Sequence, residues 1–326
     1  MKLRRLCYSA SAAAALVLVC LLLRVAAAQN PQSAGSPSSG KLQAPPPWAY
    51  PVAAPANPPA TPPDFFNPPD LHPDNHLAMP EVVAHGRKPD VRACGYCHLP
   101  NGQGRPENAS LAGLNAAYIG QQMADFKNDL RKSAEPRMAG AMLPISKAAN
   151  DAEVKAAAEY FASLKYKPWI RVVETSTVPK TKVAGGMLVP VDGATEPIGQ
   201  RIIEVPENVE RTEQRDSESG FIAYVPVGSI QKGEELVTTG GQKIVNGKIV
   251  AGKTIRCAIC HGPELKGLGA VPRLAGRSPS YIVRQLYNMQ SGTRHGPWDE
   301  LMMGVVANLG EEDLVSIAAY TASRIP

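Results

Sequence analysis

The feature that most constrains this chain is a C-x-x-C-H pattern that occurs twice, as Cys94-Gly95-Tyr96-Cys97-His98 and as Cys257-Ala258-Ile259-Cys260-His261. Two thiols at this spacing lie on one helical turn, where both can form thioether bonds to the vinyl groups of one porphyrin. The histidine after the second thiol is then held under the iron as its proximal ligand. The spacing therefore predicts one covalently attached haem c at each pattern, two per chain.

Two other uses of the pattern fit this chain less well. A structural zinc site takes four ligands, whereas each pattern offers three and no other cysteine remains outside the first 28 residues. A thioredoxin-like redox pair belongs in a βαβ context, and neither pattern has one nearby. We therefore predict thioether attachment at Cys94, Cys97, Cys257 and Cys260, with His98 and His261 as iron ligands.

The first 28 residues are typical of a secretory signal peptide. Lys2, Arg4 and Arg5 give a basic start, residues 12–23 are a short apolar run, and residues 26–28 are small. The apolar run is too short to span a bilayer comfortably, so we expect cleavage and a periplasmic protein. The leader carries four of the 34 basic residues and none of the 29 acidic ones, which leaves a mature charge of +1. Such a charge gives no reason to expect a nucleic-acid partner.

The rest of the chain divides into a tether, two domains and a segment between them. Residues 29–75 are dense in proline, which predicts a semi-rigid extended tether. The first folded domain is predicted over 76–167 and the second over 225–326. Between them, 168–224 holds β-branched runs and a charged loop, which predict extended segments with turns.

The second domain repeats the order of the first. The displacement is 163 residues through the middle helix and falls to 160 near the last helix, which indicates a three-residue deletion between them. The matching positions are the two C-x-x-C-H patterns, Leu111-Ala112-Gly113 with Leu274-Ala275-Gly276, Tyr118 with Tyr281, Gln122 with Gln285, and Tyr160 with Tyr320.

Three helices of the first domain can be placed from the sequence. One is predicted over 81–92, broken near Pro89, and one over 118–130, where apolar residues recur at helical spacing. The last begins after Asn150, where Glu153 completes an N-terminal capping arrangement, and ends at Pro168.

The second axial ligand of each iron is predicted from the repeat. A methionine thioether opposite histidine raises the reduction potential and leaves no position for a substrate. Met142 and Met302 correspond to each other in the two copies, so we predict these two as ligands. Met138 and Met303 each correspond to a residue of another type, and they stay open as alternatives.

Together these features resemble the two-domain dihaem class I cytochromes c, the cytochrome c4 type, over 76–167 and 225–326. The resemblance implies a helical fold for each domain, His/Met ligation, haem edges that face each other across the domain interface, and electron transfer in the periplasm. It also implies that a proline carbonyl orients each haem histidine. The second copy has Pro272 at that position, whereas the first has Ala109.

The sequence therefore predicts an all-α chain of two tandem class I cytochrome c domains joined by a long, partly extended linker. We expect an exported electron carrier rather than an enzyme, with a dehydrogenase, an oxidase or a membrane cytochrome complex as redox partner. A peripheral association with the membrane stays open. The first alternative is a haem c subunit of a multi-protein dehydrogenase, and the second is a dihaem enzyme such as a peroxidase, which needs one iron open to substrate.

Overall fold

A computed structural model describes residues 64–326. The predicted signal peptide, residues 1–28, and the tether as far as residue 63 lie outside the described residues. Within the described part, no helix has both the length and the apolar character needed to cross a membrane.

The region of the first C-x-x-C-H pattern is helical. Its helices are α1 (Glu81–Ala84), α2 (Cys94–His98), α3 (Ala116–Lys127), α4 (Pro136–Ala139), α5 (Met142–Ala148) and α6 (Asp151–Ser163). The Asn150 and Glu153 side chains each accept the other's backbone N–H, which confirms the predicted cap of α6. This helix ends at Ser163, before the predicted stop at Pro168. Helix α1 is shorter than its predicted span, and Gly86, just beyond it, has a left-handed backbone (φ 66°).

The segment 168–224, called the insert below, is folded, so the prediction of an all-α chain is wrong for this part. It forms strands β1 (Ile170–Glu174), β2 (Thr177–Ala184), β3 (Met187–Pro197) and β4 (Ile203–Pro206), helix α7 (Val209–Glu213) and strand β5 (Phe221–Val225). Strand β5 lies parallel to β1 and antiparallel to β4, and β2 pairs with β3 as a hairpin. The β-branched residues of these strands pack into a small core around Val178, Leu188 and Val205, which removes them from solvent.

The second copy repeats the order of the main helices of the first and adds a hairpin. Its helices are α8 (Ser229–Thr239), α9 (Ala258–His261), α10 (Pro279–Gln290), α11 (Glu300–Val306) and α12 (Glu311–Ser323), and the hairpin of β6 (Lys243–Val245) and β7 (Lys248–Val250) lies between α8 and α9. Helices α3 and α10 have 12 residues each, and α6 and α12 have 13 each. The first pair is displaced by 163 residues and the second by 160, so the element bounds confirm the repeat and its deletion.

Each copy has its own apolar core. In the first, α3 packs on α5 and α6 around Phe161, and in the second, α10 packs on α11 and α12 around Leu314. Strand β1 of the insert also contacts α12, so the insert touches both copies. The two cores place the C-x-x-C-H helices α2 and α9 against the helix pairs that follow them.

Candidate haem sites

The first C-x-x-C-H pattern lies beside an apolar pocket. Cys94, Cys97 and His98 line it together with Met138 and Met142. The four cysteines of the described residues form no disulfide, so each thiol remains available. The pocket lining also includes Leu114, Ile119, Met123, Phe126, Ile145 and Phe161. The structure therefore brings the predicted residues of the first site together around a space with apolar walls.

Both haem histidines are oriented by a main-chain carbonyl. The Nδ1 of His98 lies 2.8 Å from the Ala109 oxygen, and the Nδ1 of His261 lies 2.8 Å from the Pro272 oxygen. A carbonyl oxygen only accepts, so Nδ1 carries the proton and the Nε2 lone pair is left for a metal. Alanine in place of proline therefore keeps this hydrogen bond in the first copy, because the backbone supplies the acceptor.

Burial also sets the charge of the site residues. It lowers the pKa of both His98 and His261, which favours the neutral imidazole that binds iron. It raises the pKa of the Cys94 thiol to about 12 and that of Cys257 to about 11. Oriented neutral imidazoles, free thiols and, in the first copy, an apolar pocket fit the demands of haem c.

The loop after each histidine has the same backbone hydrogen bonds in both copies. The N–H of Gly104 donates to the His98 oxygen, and that of Gly267 to the His261 oxygen, both at 2.9 Å. The Leu111 and Leu274 N–H groups donate to Gly102 and Leu265 at 2.8 Å. Residues displaced by 163 therefore occupy equivalent places around the two sites.

The candidate methionines differ in their surroundings. Met138 and Met142 both line the first pocket; Met138 also packs against the core of the insert, and Met142 starts α5. In the second copy Met302 and Met303 are both half-buried and pack against the same core as Cys257. The packing thus gives Met138 a structural partner of its own, and it does not separate Met302 from Met303.

Two buried arginines that sequence reasoning missed join the copies. Arg131 and Arg294 are equivalent positions of the repeat, and both are buried. Arg131 donates to Gln122 of its own copy at 2.8 Å and to Tyr281 and Gln285 of the other at 3.1 Å. Arg294 donates to Gln285 at 3.0 Å and across to Gln122 at 2.9 Å. Because Arg131 and Arg294 are separated by the repeat's displacement of 163 residues, the sequence repeat could have identified this pair.

Three buried arginines, Arg131, Arg277 and Arg294, lie near the Tyr281 phenol at the interface. Burial alone would raise the pKa of the Tyr281 phenol, but Arg131, Arg277 and Arg294 outweigh it and lower that pKa. The Nε atoms of Arg277 and Arg294 are buried without a hydrogen-bond partner. Because Arg277, Tyr281 and Gln285 also line the first pocket, this positive cluster closes one end of that pocket.

Comparison with known proteins agrees with this geometry. The model of the family described as cytochrome c matches residues 83–165. Cytochrome c-554(547) from Halothiobacillus neapolitanus is 34% identical over 88 residues, which cover 24% of this chain and 97% of the relative. The chain belongs to the cytochrome c family.

Two further relatives add to the similarity of this cytochrome c, and the second of them matches most of the chain. Cytochrome c4 from Stutzerimonas stutzeri is 27% identical over 133 residues, which span 39% of this chain and 63% of the relative's length. The thiosulfate dehydrogenase electron acceptor of Stutzerimonas stutzeri strain A1501 is 24% identical over 241 residues, covering 73% of this chain and 82% of the relative. The chain is a dihaem electron-transfer cytochrome of the cytochrome c4 type, and its cofactor is haem c, two groups per chain.

Proposed function

We propose that this cytochrome carries electrons through two haems, each capped by sulfur and closed to substrate. The first is attached at Cys94 and Cys97 and ligated by His98 and Met142. The second is attached at Cys257 and Cys260 and ligated by His261 and Met302. The domain bounds 76–167 and 225–326 belong to this proposal. The observation that carries it is the matching pair of Nδ1–carbonyl hydrogen bonds, which leaves one imidazole nitrogen at each site for iron.

The chain's own residues prepare each site for electron transfer. Bound haem supplies an iron that takes up and releases one electron. The apolar lining excludes water from the pocket, and the carbonyl-bound imidazole keeps its ring orientation in both oxidation states. The buried guanidiniums of Arg131 and Arg277 line the first pocket and are suited to hold the anionic propionates there, since the Nε of Arg277 has no partner.

Replacing the predicted methionines tests the ligand assignment. Met142→Ala and Met302→Ala should each open one iron, lower one of the two reduction potentials and leave the other nearly unchanged, because a thioether stabilises the reduced iron. Carbon monoxide binding to the reduced protein and a spectroscopic redox titration measure both effects. Met138→Ala and Met303→Ala are the matched controls and should keep both irons closed. A wild-type protein that binds carbon monoxide readily at one haem would contradict the proposal.

The second candidate is a haem c subunit that accepts electrons from a catalytic partner. It is favoured by the relative named a thiosulfate dehydrogenase electron acceptor, which aligns with 73% of this chain. The folded insert also favours it, because a freely diffusing carrier needs no such addition. Gel filtration of the native complex separates the two candidates: a subunit co-elutes with a dehydrogenase, and a carrier elutes alone.

We place the mature protein in the periplasm after removal of residues 1–28. The support is the basic start and short apolar run of the leader, together with covalent haem attachment. Redox proteins are its partners, and we expect no catalytic reaction of its own. N-terminal sequencing of the protein from its host would test the cleavage.

A further inference from the structure

We infer that the second copy alone presents an open haem edge, and that this edge is the docking surface for a redox protein with an apolar centre and a rim of carboxylates. The open-edge surface is defined by Ile255, Ile259, Cys260 and Leu268. The inference rests on the proposed function, because a thioether at the second cysteine of each pattern places the porphyrin edge next to that residue. It goes further by assigning the two haems unequal access and by giving the partner a chemistry.

In the first copy the equivalent edge is covered by the insert. Arg105 donates to the Gly185 oxygen at 2.8 Å, and Gln103 donates to the Ser219 oxygen at 2.7 Å. Arg215 of the insert lies over the Tyr96 ring at 3.7 Å and donates to the Tyr96 oxygen at 2.7 Å. Tyr96, Gln103 and Arg105 are consequently buried.

Cys97 belongs to this covered face. Cys97 follows the buried Tyr96 in α2 and is itself half-buried beside the ring contact that Arg215 makes. We define the patch around the second cysteine of the first pattern by residues 92, 96, 97 and 105. Their equivalents in the second copy are residues 255, 259, 260 and 268, which make up the open-edge surface.

In the second copy the same patch faces solvent. Ile259 is 58% exposed where Tyr96 is 6% exposed, and Leu268 is 61% exposed where Arg105 is 3% exposed. Ile255 is 48% exposed, and Cys260 is also exposed. The backbone hydrogen bonds around His98 and His261 match, so the difference comes from what lies on the surface and not from a different loop fold.

The chemistry of the open-edge surface shows which occupant fits. The covered face uses Gln103 and Arg105 to donate to main-chain carbonyls. At the equivalent positions the open face has Lys266, which is paired with Glu264 at 2.9 Å, and Leu268, which cannot donate. A segment such as the insert would lose there the contact that Arg105 makes in the first copy. Three exposed aliphatic side chains favour an apolar counterpart, and exposed Arg256 next to Ile255 favours carboxylates at its rim.

Electron exchange with an acidic blue copper protein, a one-electron partner of this chemistry, tests the surface. The variant Ile259→Glu/Leu268→Glu should lower the second-order rate about tenfold or more. The matched control is Ile244→Glu/Ile249→Glu on the β6–β7 hairpin, where the side chains are 76% and 70% exposed and the charge change is the same. It should stay within about twofold of wild type, since added like charge alone has a small effect at moderate salt.

The small reagent hexaammineruthenium(II) separates this test from the proposed function. All variants should be reduced by it at both haems with wild-type spectra, and failure of that reaction would count against the electron carrier itself. The docking inference is overturned if Ile259→Glu/Leu268→Glu keeps the wild-type rate with the copper protein, or if the hairpin variant is the one that loses it. It is also overturned if wild type reacts with ruthenium but not with the copper protein.

Two further outcomes would assign the surface to another occupant. A wild-type dimer that Ile259→Glu/Leu268→Glu dissociates in sedimentation would make it a contact between two copies of this chain. A faster reaction with the copper protein after deletion of residues 29–63 would show that the tether covers it. Either result contradicts the inference, which predicts a monomeric protein and an unchanged rate.

Discussion

At the residue scale, the haem histidines show that the main-chain carbonyl of a residue other than proline can orient the imidazole, although the family pattern has proline at that position. His98 and His261 have the same hydrogen-bond length to a carbonyl, although one acceptor belongs to alanine and the other to proline. The ring orientation therefore depends on the path of the loop. That path is fixed by the matching N–H bonds of Gly104 and Gly267 to the histidine oxygens.

The variant Pro272→Ala tests this view of the second site. We expect the spectrum and reduction potential of the second haem to stay at wild-type values, because the carbonyl remains 11 residues after the histidine. The free energy of unfolding should fall by less than about 1 kcal/mol, through greater freedom of the unfolded chain. A potentiometric titration measures the first quantity. A changed potential for the second haem would mean that the proline ring itself positions His261.

Asp313 gives the last helix a pH-dependent contribution to stability. Burial raises its pKa, but hydrogen bonds from Lys253 at 2.7 Å and from the Gly310 N–H at 2.9 Å, with Lys232 nearby, hold that pKa below the ordinary 3.8. A carboxylate with a depressed folded pKa stabilises the protein above its unfolded pKa and loses this effect as the pH falls.

We therefore expect Asp313→Asn to lower the free energy of unfolding by about 1–3 kcal/mol at pH 7. The deficit relative to wild type should shrink once the pH falls below the unfolded pKa of about 3.8. Denaturant unfolding at pH 7 and at a pH below the unfolded pKa measures this deficit. The control Glu312→Gln removes a largely exposed contact to Lys232 and should cost less than about 1 kcal/mol. An equal deficit at both pH values would rule out the carboxylate as the cause.

At the element scale, the helices and the extended character of the insert were readable from the sequence, and the pairing of the insert's strands was not. The Asn150–Glu153 cap and the spacing around Tyr118 predicted α6 and α3, because local side chains decide where those helices lie. The strands of the insert depend on partners far along the chain, such as Ile170 beside Phe221. The same limit applied to the contact between Arg131 and Tyr281, which joins residues 150 positions apart.

Arg215 tests how firmly the insert covers the first site. We expect Arg215→Ala to increase the rate at which hexaammineruthenium(II) reduces the first haem, because the guanidinium no longer covers Tyr96 beside Cys97. The free energy of unfolding should fall by about 1–3 kcal/mol through the lost hydrogen bond and ring contact. Stopped-flow reduction and denaturant titration measure the two effects.

The matched control for this variant is Arg171→Ala. Arg171 also lies in the insert, and its pair with Glu207 at 3.4 Å is largely exposed. Its removal should cost less than about 1 kcal/mol and leave the reduction rate unchanged. If both variants behave alike, the effect of Arg215 comes from general loosening and not from the uncovered edge.

At the scale of the whole molecule, the buried arginines of the two copies exchange hydrogen bonds, so we expect the copies to unfold together. Arg294 contacts Gln122 of the first copy and forms an ion pair with Asp299 of its own at 2.8 Å. We expect Arg294→Met to lower the free energy of unfolding by about 3–5 kcal/mol, since it leaves Asp299 buried without its partner. Scanning calorimetry should show two separated transitions instead of one.

The equivalent variant Arg131→Met offers an internal comparison. Arg131 also reaches across the interface, to Tyr281 and Gln285, so it should loosen the same contact. When Arg131 is replaced, the nearby carboxylate of Asp125 still accepts a hydrogen bond from Gln121. Arg131→Met should therefore lower the melting temperature less than Arg294→Met. A single unchanged transition in both variants would show that the arginines do not hold the copies together.

Because the insert covers the first haem site, it affects how electrons enter and leave the molecule. Two equal halves could serve a supplier and a recipient at the same moment, one at each end. With one accessible haem edge, the electron donor must dissociate before the electron acceptor can bind. The covered haem is then reduced and oxidised only through the exposed haem. Turnover is then limited by the slower of the two dissociation steps at that edge. The relative potentials of the two irons decide how long an electron stays on the covered haem between binding events.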